Sequence, residues 1–358
     1  MRSADAPPPN PSPSPTPPGF WRRLWARIEA LVERIARVFR REIEAGRFEK
    51  GRAASWRGFL TIAPMVPPER DYLVYVPRGY SRWRRAPLFV LCHGCRQSPE
   101  DLVALASVTA RADREGWLVL LPRQSEAANR YHCWNWFETS TLRGAGEAAI
   151  VAAQIIAVRR QFRARRERVW VAGMSAGAAL AAVLGVRYPR LVRGVVSHSG
   201  LACGAASNVT AALSVMRRGP DNDVARVADE SRASARDAAL RVPLLVIQGD
   251  RDDVVAPVNG IALVDQYLRL NGHAAGEAGY RPNGPLPASE ASSHETPTER
   301  YAMRIDDWLC DGRVIVRHVS VEGLGHAWSG GDGSFEFADP RGPDALDLFE
   351  RFAESAAA

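Results

Sequence analysis

Short apolar runs alternate with segments of helical periodicity along most of this chain. Predicted strands cover residues 72–77, 87–92, 117–121, 168–172, 194–198, 243–248 and 313–321. Predicted helices cover residues 99–114, 145–162, 176–187, 225–239, 257–270 and 342–355. Alternation of this kind favours a mostly parallel sheet that is covered by helices on both faces. The pattern therefore predicts a doubly wound α/β fold.

Three segments depart from this alternation. Residues 1–19 hold eight prolines, which predicts a disordered and extended tail. Apolar side chains recur at three- and four-residue steps over residues 20–50, which predicts an amphipathic helix outside the core. Residues 273–299 are polar and have no period, so we expect a mobile surface insertion there. One α/β domain is accordingly predicted over residues 51–358.

The polar face of the predicted helix at 20–50 is basic. This segment carries nine Lys and Arg against five Glu, a net charge of +4, whereas the whole chain carries +7. Tryptophans on the apolar face and arginines on the polar face suit a helix that lies on an anionic or apolar interface. Docking onto the protein's own core and self-association through about three heptads are the alternatives. Nucleic-acid binding is not favoured, because the charge belongs to no recognisable module.

A serine occupies the turn between a predicted strand and a predicted helix. The apolar run at 169–172 leads into a Gly-x-Ser-x-Gly pentad, Gly173 to Gly177, and an alanine-rich helical pattern follows. Small flanking residues let the strand and the helix pass close together and present the hydroxyl of Ser175. The helix N-terminus also directs backbone N–H groups at negative charge forming beside it. This context favours a nucleophile over a plain structural turn.

A carboxylate is expected after a later strand, because serine, acid and histidine occur in that order in such sheets. The strand at 243–248 ends in a loop with three aspartates, Asp250, Asp252 and Asp253. A carboxylate directly after a parallel strand faces the crevice where these sheets bind ligands. The Gly-x-x-Asp-x-x-Val spacing resembles the acid turn of α/β-hydrolases and favours Asp252. Turn capping or solvent exposure is the alternative role for Asp250 and Asp253.

A histidine follows the last predicted strand, in a glycine-rich loop that leaves it free to approach Ser175. This residue is His326. The other histidines lie in polar loops, in strand-like runs or too early in the chain: His93, His132, His198, His273, His294 and His318. His326 would take the proton of Ser175, and Asp252 would fix the imidazole tautomer. The three residues together predict nucleophilic attack on an ester carbonyl.

Two backbone N–H groups are candidates for an oxyanion hole. One belongs to Ala176, which directly follows the predicted nucleophile, and the other to Cys95, in the His-Gly turn after the strand at 87–92. Donors at these places stabilise the negative charge of the transition state, and losing one typically costs about 2.7–4 kcal/mol.

Five motifs occur along the chain: His93-Gly94-Cys95, Cys133-Trp134-Asn135-Trp136-Phe137, Gly173 to Gly177, Ser199-Gly200-Leu201 and Gly325 to Gly331. Together they resemble the polyhydroxybutyrate depolymerase family of esterases, which also includes feruloyl and acetylxylan esterases. The resemblance covers roughly residues 70–350 and implies an α/β-hydrolase fold. It also implies a triad of Ser175, Asp252 and His326, no metal or other cofactor, and a disulfide between Cys95 and Cys133.

The resemblance leaves the ester open. A hydroxyalkanoate polymer or oligomer is the preferred substrate, with the helix at 20–50 on a granule or anionic membrane surface; feruloyl or acetylxylan esters are the alternative. Trp134, Trp136 and Trp328 are candidates for an apolar substrate wall, and structural packing is the alternative for each. A surface-binding protein with an inactive hydrolase domain is the alternative of another class.

Two features of the sequence bear on its location. No charged start followed by seven or more apolar residues is visible near the N-terminus, so a cytoplasmic, granule-associated protein is expected. The implied bridge between Cys95 and Cys133 would be unusual in a reducing cytosol, which keeps an extracellular location as the alternative. The longest charge-free stretch, at 194–216, is too polar to cross a bilayer.

Overall fold

The computed structural model describes residues 46–55, 68–234, 240–272 and 286–357, together with Glu29 and Arg57. All of these except Glu29 belong to one compact unit, Ala45–Ala358. The predicted tail at 1–19 and most of the predicted helix at 20–50 lie outside the described residues, and both stay predictions.

Ten strands form one sheet in the described part of the chain, in the order β1-β2-β4-β3-β5-β6-β7-β10-β9-β8. They are β1 (Arg47–Ala54), β2 (Glu69–Val76), β3 (Leu88–Cys92), β4 (Leu118–Pro122), β5 (Val169–Met174), β6 (Gly194–His198), β7 (Leu244–Gly249), β8 (Ala291–Glu295), β9 (Met303–Cys310) and β10 (Arg313–Val321). The six central strands, from β4 to β10 in this order, are parallel, and antiparallel pairs complete both edges. A small parallel pair, β11 (Trp328–Ser329) and β12 (Ala338–Asp339), lies apart from the sheet.

Nine helices are described: α1 (Pro99–Ala106), α2 (Val108–Glu115), α3 (Thr139–Leu142), α4 (Gly146–Gln161), α5 (Ala176–Arg187), α6 (Val209–Arg218), α7 (Ala225–Ser234), α8 (Val258–Leu270) and α9 (Ala345–Ala357). Side chains of α4, α5 and α8 belong to one hydrophobic cluster, and those of α1, α2 and α9 belong to a second. Alternate residues of β3 enter the two clusters, Leu88 and Val90 the first, Phe89 and Leu91 the second. The central strands are therefore apolar throughout, because both faces of the sheet are covered. The doubly wound α/β prediction is confirmed.

The predicted helix at 99–114 is two helices. Ser98 begins α1 through a capping box with Asp101, in which each side chain accepts a hydrogen bond from the other residue's backbone N–H. Ser107 then takes a left-handed conformation with φ 51°, which ends α1 and starts α2. The change of direction lets both short helices place apolar side chains in the second cluster.

Two predicted boundaries are wrong, because edge strands occupy residues that were assigned to other segments. Residues 47–50, which were predicted as helix, form the first half of β1 and pair with β2, so the boundary predicted at residue 51 falls inside a strand. Residues 291–295, which were predicted as mobile insertion, form β8 and pair with β9. Both strands expose most of their side chains and lack the apolar runs that mark the centre of the sheet. Residues 273–285 of that insertion lie outside the described residues.

No helix in the described part of the chain is both long enough and apolar enough to cross a membrane.

Candidate active site

The carboxyl ends of adjacent parallel strands bring the predicted site residues to one edge of the sheet. The His-Gly turn follows β3, Ser175 follows β5, Asp252 follows β7 and His326 follows β10. In the sheet β3 is adjacent to β5, β6 lies between β5 and β7, and β10 is adjacent to β7. This edge is where ligands bind in open α/β sheets.

Ser175 lies at a strained turn between β5 and α5. Its φ of 55° and ψ of −120° are unusual for a residue with a side chain. The turn is possible because glycines surround it: a Cβ on Gly173 would overlap the carbonyl carbon of Gly177, and a Cβ on Gly177 would overlap the carbonyl oxygen of Cys92. The N–H of Ser175 donates to the carbonyl of His198, 2.9 Å away, which ties the turn to β6.

Asp252 is held as a buried carboxylate by several donors. Its oxygens accept hydrogen bonds from the backbone N–H groups of Val255, at 2.8 Å, and Val254, at 3.1 Å, and from the side-chain amide of Gln248, at 3.3 Å. Burial raises the pKa of Asp252, but the hydrogen bond and charge of His326 and the N–H of Val255 outweigh burial and hold the pKa below its ordinary value. Asp252 is therefore ionised at neutral pH.

His326 contacts both oxygens of this carboxylate through Nδ1, at distances of 2.9 and 3.1 Å. A proton on Nδ1 makes these contacts hydrogen bonds to Asp252, so Nε2 is left as the basic nitrogen of the ring. The neighbouring aspartates differ: Asp250 and Asp253 are both exposed, and Asp250 accepts from the N–H of Gly323 instead. Of the three aspartates, the structure pairs Asp252 with the histidine.

The loop that carries His326 is fixed against β6 by a second histidine. Nε2 of the buried His198 accepts the N–H of Ser329 at 3.0 Å, and its ring stacks on Trp328 with centroids 5.1 Å apart. Burial lowers the pKa of His198 to about 3, so the ring stays a neutral acceptor. Sequence reasoning assigned His198 no role. The adjoining Ser199-Gly200-Leu201 motif was the available signal, and Ser199 also helps to lower the pKa of Asp252.

The turn with Cys95 is held from several sides. His93 is buried, and its Nε2 accepts the N–H of Gln124 at 3.2 Å. Its carbonyl accepts the indole N–H of Trp134 at 3.0 Å, and Cys95 is joined to Cys133 by a disulfide with Cα atoms 4.2 Å apart. A Cβ on Gly94 would stand 3.5 Å from the carbonyl oxygen of Met174, so the turn lies directly beside the Ser175 turn.

A buried glutamate at the start of α4 anchors the segment with Cys133. Glu147 accepts the N–H of Asn135 at 2.7 Å and the side-chain amide of Gln124 at 2.5 Å. That amide also donates to the carbonyl of Cys133 at 3.0 Å. Burial raises the pKa of Glu147 to about 7, although these hydrogen bonds and the charge of Arg70 act in the opposite direction. No sequence motif pointed to this residue.

The three tryptophans of the predicted substrate wall lie inside the core. Trp134, Trp136 and Trp328 expose 1%, 3% and 2% of their surface. Trp134 packs beneath the His-Gly turn and Trp328 packs on His198, so both side chains contact protein groups at this edge. The substrate-wall interpretation is therefore corrected to structural packing. Exposed apolar side chains near this edge are Tyr131, beside the disulfide, and Val254, beside Asp252.

Within the described residues, no group of three or more His, Cys, Asp and Glu side chains is arranged to hold a metal ion. This edge carries a histidine paired with a carboxylate and a serine at a strained turn, which are the residue types that nucleophilic catalysis uses.

The known proteins that this chain resembles in sequence are described as esterases or depolymerases. The family model described as "Esterase PHB depolymerase" matches residues 70–285. Poly(3-hydroxyalkanoate) depolymerase C of Paucimonas lemoignei is 30% identical over 208 residues, which are 58% of this chain and 50% of that protein. Acetylxylan esterase A of Emericella nidulans is 24% identical over 140 residues, 38% of this chain and 44% of that protein. The chain thus spans about half the length of these curated relatives.

A solved structure shows the same fold. The acetyl xylan esterase from Aspergillus awamori superposes with a TM-score of 0.60 at 18% identity. The match covers 78% of this chain and 94% of that one, which makes the sheet and its flanking helices a shared architecture.

Proposed function

Because this chain belongs to the polyhydroxybutyrate depolymerase family of esterases and has an α/β-hydrolase fold, we propose that it is a serine carboxylesterase acting on hydroxyalkanoate polyesters or their oligomers. One observation carries the proposal: Asp252 and His326 are hydrogen bonded at the edge of the sheet where the strained turn presents Ser175. This arrangement supports a nucleophilic serine with a charge-stabilised base.

The proposed reaction has two steps. Nε2 of His326 takes the proton of the Ser175 hydroxyl as its oxygen attacks the ester carbonyl, and Asp252 stabilises the imidazolium. The oxyanion accepts hydrogen bonds from the N–H groups of Ala176 and Cys95. The intermediate collapses, the alcohol leaves with the proton from His326, and Ser175 remains acylated. Water then attacks the acyl-enzyme with His326 again as base, which releases the acid and restores the serine.

Two observations favour a polyester over a polysaccharide ester. The depolymerase of Paucimonas lemoignei matches a longer part of the chain, and at higher identity, than the acetylxylan esterase of Emericella nidulans. The exposed Tyr131 and Val254 offer apolar contacts near the site, which suit a chain of alkyl esters. Acetylxylan or feruloyl ester hydrolysis is the second candidate, since the acetylxylan esterases also match this chain.

A comparison of substrates tests the proposal. Hydroxybutyrate oligomers, amorphous polyhydroxybutyrate, acetylated xylan and methyl ferulate are offered separately to the wild type and to Ser175→Ala. We expect the highest kcat/KM on the hydroxybutyrate oligomers and no turnover by the variant. A higher kcat/KM on acetylated xylan or methyl ferulate would transfer the assignment to the second candidate. Absence of turnover on all four esters would favour a surface-binding protein with an inactive hydrolase domain.

The proposal extends to the N-terminal segment, whose basic amphipathic pattern supports binding to a polyester granule or an anionic surface. Deletion of residues 1–45 is the appropriate test, because deletion of residues 1–50 would also remove half of β1. We expect the shorter deletion to keep hydrolysis of a soluble ester and to weaken adsorption to granules. Loss of activity on both kinds of substrate, with a lower Tm, would show that the segment packs on the catalytic domain instead.

The location stays a prediction, with the cytoplasm preferred from the sequence and an extracellular location as the alternative. The bond between Cys95 and Cys133 supports the alternative, because disulfides persist mainly in oxidising compartments. Fractionation of cells that produce the native protein, followed by alkylation of free thiols, tests both points together. Reduced Cys95 and Cys133 in a cytoplasmic fraction would support the first location.

A further inference from the structure

Arginines gather at the amino ends of β3 and β5, the edge of the sheet opposite to the proposed catalytic residues. Two segments carry them: residues 82–87, before β3, and residues 156–168, at the end of α4 and before β5. Backbone hydrogen bonds join the segments, from Arg165 to Ala86 at 2.8 Å and from Leu88 to Arg168 at 2.9 Å. They therefore form one continuous surface, called the arginine surface below.

The net positive charge of the arginine surface is larger than that of the whole chain. The two segments contain nine arginines and one carboxylate, Glu167, for a net charge of +8, whereas the whole chain carries +7. Arg168 also lines a separate depression with Glu115, Glu350 and Glu354. The nine are Arg82, Arg84, Arg85, Arg159, Arg160, Arg163, Arg165, Arg166 and Arg168. All except Arg159 are exposed, and none of the nine forms an ion pair with a carboxylate of the described residues. The charge is thus concentrated and not neutralised by ion pairs.

Five of these arginines surround one depression. It is lined by Arg85, Arg159, Arg160, Arg163 and Arg166, with Ile156 and Leu191 between them. Nε of Arg159 is buried there and has no hydrogen-bond partner among the described residues. Burial lowers the pKa of Arg159, and the charges of Arg166 and Arg160 lower it further. An anion with several oxygens would relieve this repulsion and accept the unused N–H group.

Apolar side chains on the same surface indicate the kind of anion. Trp83 exposes 77% of its surface and Ile156 exposes 38%, although both are large and apolar. Arginine beside exposed tryptophan suits the boundary between lipid headgroups and acyl chains, where indole rings lie at headgroup level. Nucleic acid is less favoured, since the surface belongs to no recognisable nucleic-acid module.

We propose that the arginine surface binds the phosphate groups of an anionic phospholipid surface, with Trp83 placed among the headgroups. The depression takes phosphate oxygens, and the surrounding guanidinium groups contact neighbouring headgroups. The edge with Ser175 points away from the lipid in this arrangement, because catalytic and arginine-bearing loops leave opposite ends of the same strands. Lipid binding therefore leaves the catalytic edge open. The proposal is independent of which ester the protein hydrolyses.

Sedimentation of the full chain with lipid vesicles tests the proposed binding of the arginine surface to anionic phospholipid. One set contains phosphatidylglycerol and phosphatidylcholine in equal amounts, and the other contains phosphatidylcholine alone. The variant Arg163→Gln with Arg166→Gln removes two charges from the depression. The matched control, Arg217→Gln with Arg218→Gln, removes two exposed charges from α6, whose last turn contacts the loop after β7 at the catalytic edge. Both double variants should keep the wild-type Tm and the wild-type rate on a soluble ester.

We expect the wild type to bind only the anionic vesicles, with an affinity that falls as salt is raised. Arg163→Gln with Arg166→Gln should weaken that binding by about tenfold or more, and the control should not. Every protein compared contains the basic segment at 20–50, so a difference in vesicle binding between the two double variants does not come from that segment. Equal binding by wild type and the depression variant overturns the proposal, as does equal binding to both vesicle sets. If inorganic tripolyphosphate or duplex DNA binds more tightly than the vesicles, and through the same arginines, that anion and not the lipid is the ligand of this surface.

Discussion

Nδ1 of His326 lies 2.9 Å from one oxygen of Asp252 and 3.1 Å from the other, although 74 positions separate the two residues in the chain. The carboxylate is buried, and backbone N–H groups hold it in place from the side of its own loop. The orientation of the Asp252 carboxylate is therefore set by the protein and not by solvent. In the proposed mechanism, this orientation holds the imidazole ready for proton transfer before a substrate binds.

Ser175 is expected to be the only serine that reacts with a fluorophosphonate, because an activated hydroxyl is required. Ser175→Ala should abolish both labelling and ester hydrolysis and leave the Tm nearly unchanged. Labelling is read by mass spectrometry of the intact protein. Ser334→Ala, at an exposed serine, serves as the control and should label normally. A labelled Ser175→Ala protein would remove this residue from its proposed role.

Asp252→Asn should lower kcat by a factor on the order of 10⁴, because the amide favours the wrong histidine tautomer. Asp250→Asn and Asp253→Asn should have far smaller effects, since both side chains are exposed and neither contacts His326. Steady-state kinetics on a soluble ester measures all three variants. A larger loss at Asp250 or Asp253 would contradict the pairing of Asp252 with His326.

Loss of the bond between Cys95 and Cys133 should lower kcat more than it changes KM. The bond holds the turn whose N–H is a proposed oxyanion donor, and such donors act mainly on the transition state. Cys133→Ser is compared with Cys310→Ser, which removes a free, partly buried cysteine. An unchanged kcat in Cys133→Ser, or the same loss in Cys310→Ser, would show that the bond has no part in catalysis.

Glu147 should make folding stability fall as the pH rises toward 7. Its pKa is about 7 in the folded protein and near 4.5 in the unfolded chain, so only the unfolded state ionises between these values. The stabilisation by neutral Glu147 is fully present below pH 4.5 and is lost as the pH rises through 7. This loss lowers the free energy of unfolding by up to about 3 kcal/mol.

Denaturant unfolding at several pH values from 5 to 8 measures this effect. The advantage in unfolding free energy of the wild type over Glu147→Gln should narrow across the range. The exposed Glu126→Gln is the control, and its difference from the wild type should stay constant. A constant difference for Glu147→Gln as well would mean that Glu147 is already ionised in the folded protein at pH 5, which would contradict its raised pKa.

The central strands and the candidate triad could be predicted because their signals are local. A strand such as β3 is apolar at every position, since both of its faces are covered, and the glycines around Ser175 are adjacent in sequence. Edge strands lack such signals. β8 exposes nearly all of its polar side chains and is a strand only because β9 lies beside it.

Burial of individual side chains was the least predictable property. Trp328 and His198 are 130 positions apart, and their stacking decides that this tryptophan is structural. Glu147 has no motif around it, yet it holds the segment that carries Cys133 through Asn135 and Gln124. Contacts of this kind depend on which chain segments fold against each other.

The sequence alone determined the α/β architecture and the residues that could supply a nucleophile, an acid, a base and oxyanion donors, because periodicity and turn chemistry act over a few residues. Tertiary structure decided which aspartate contacts His326, which tryptophans are buried and where the arginines gather. These outcomes follow from the parallel sheet, which brings the carboxyl ends of distant strands together at one edge and their amino ends together at the other.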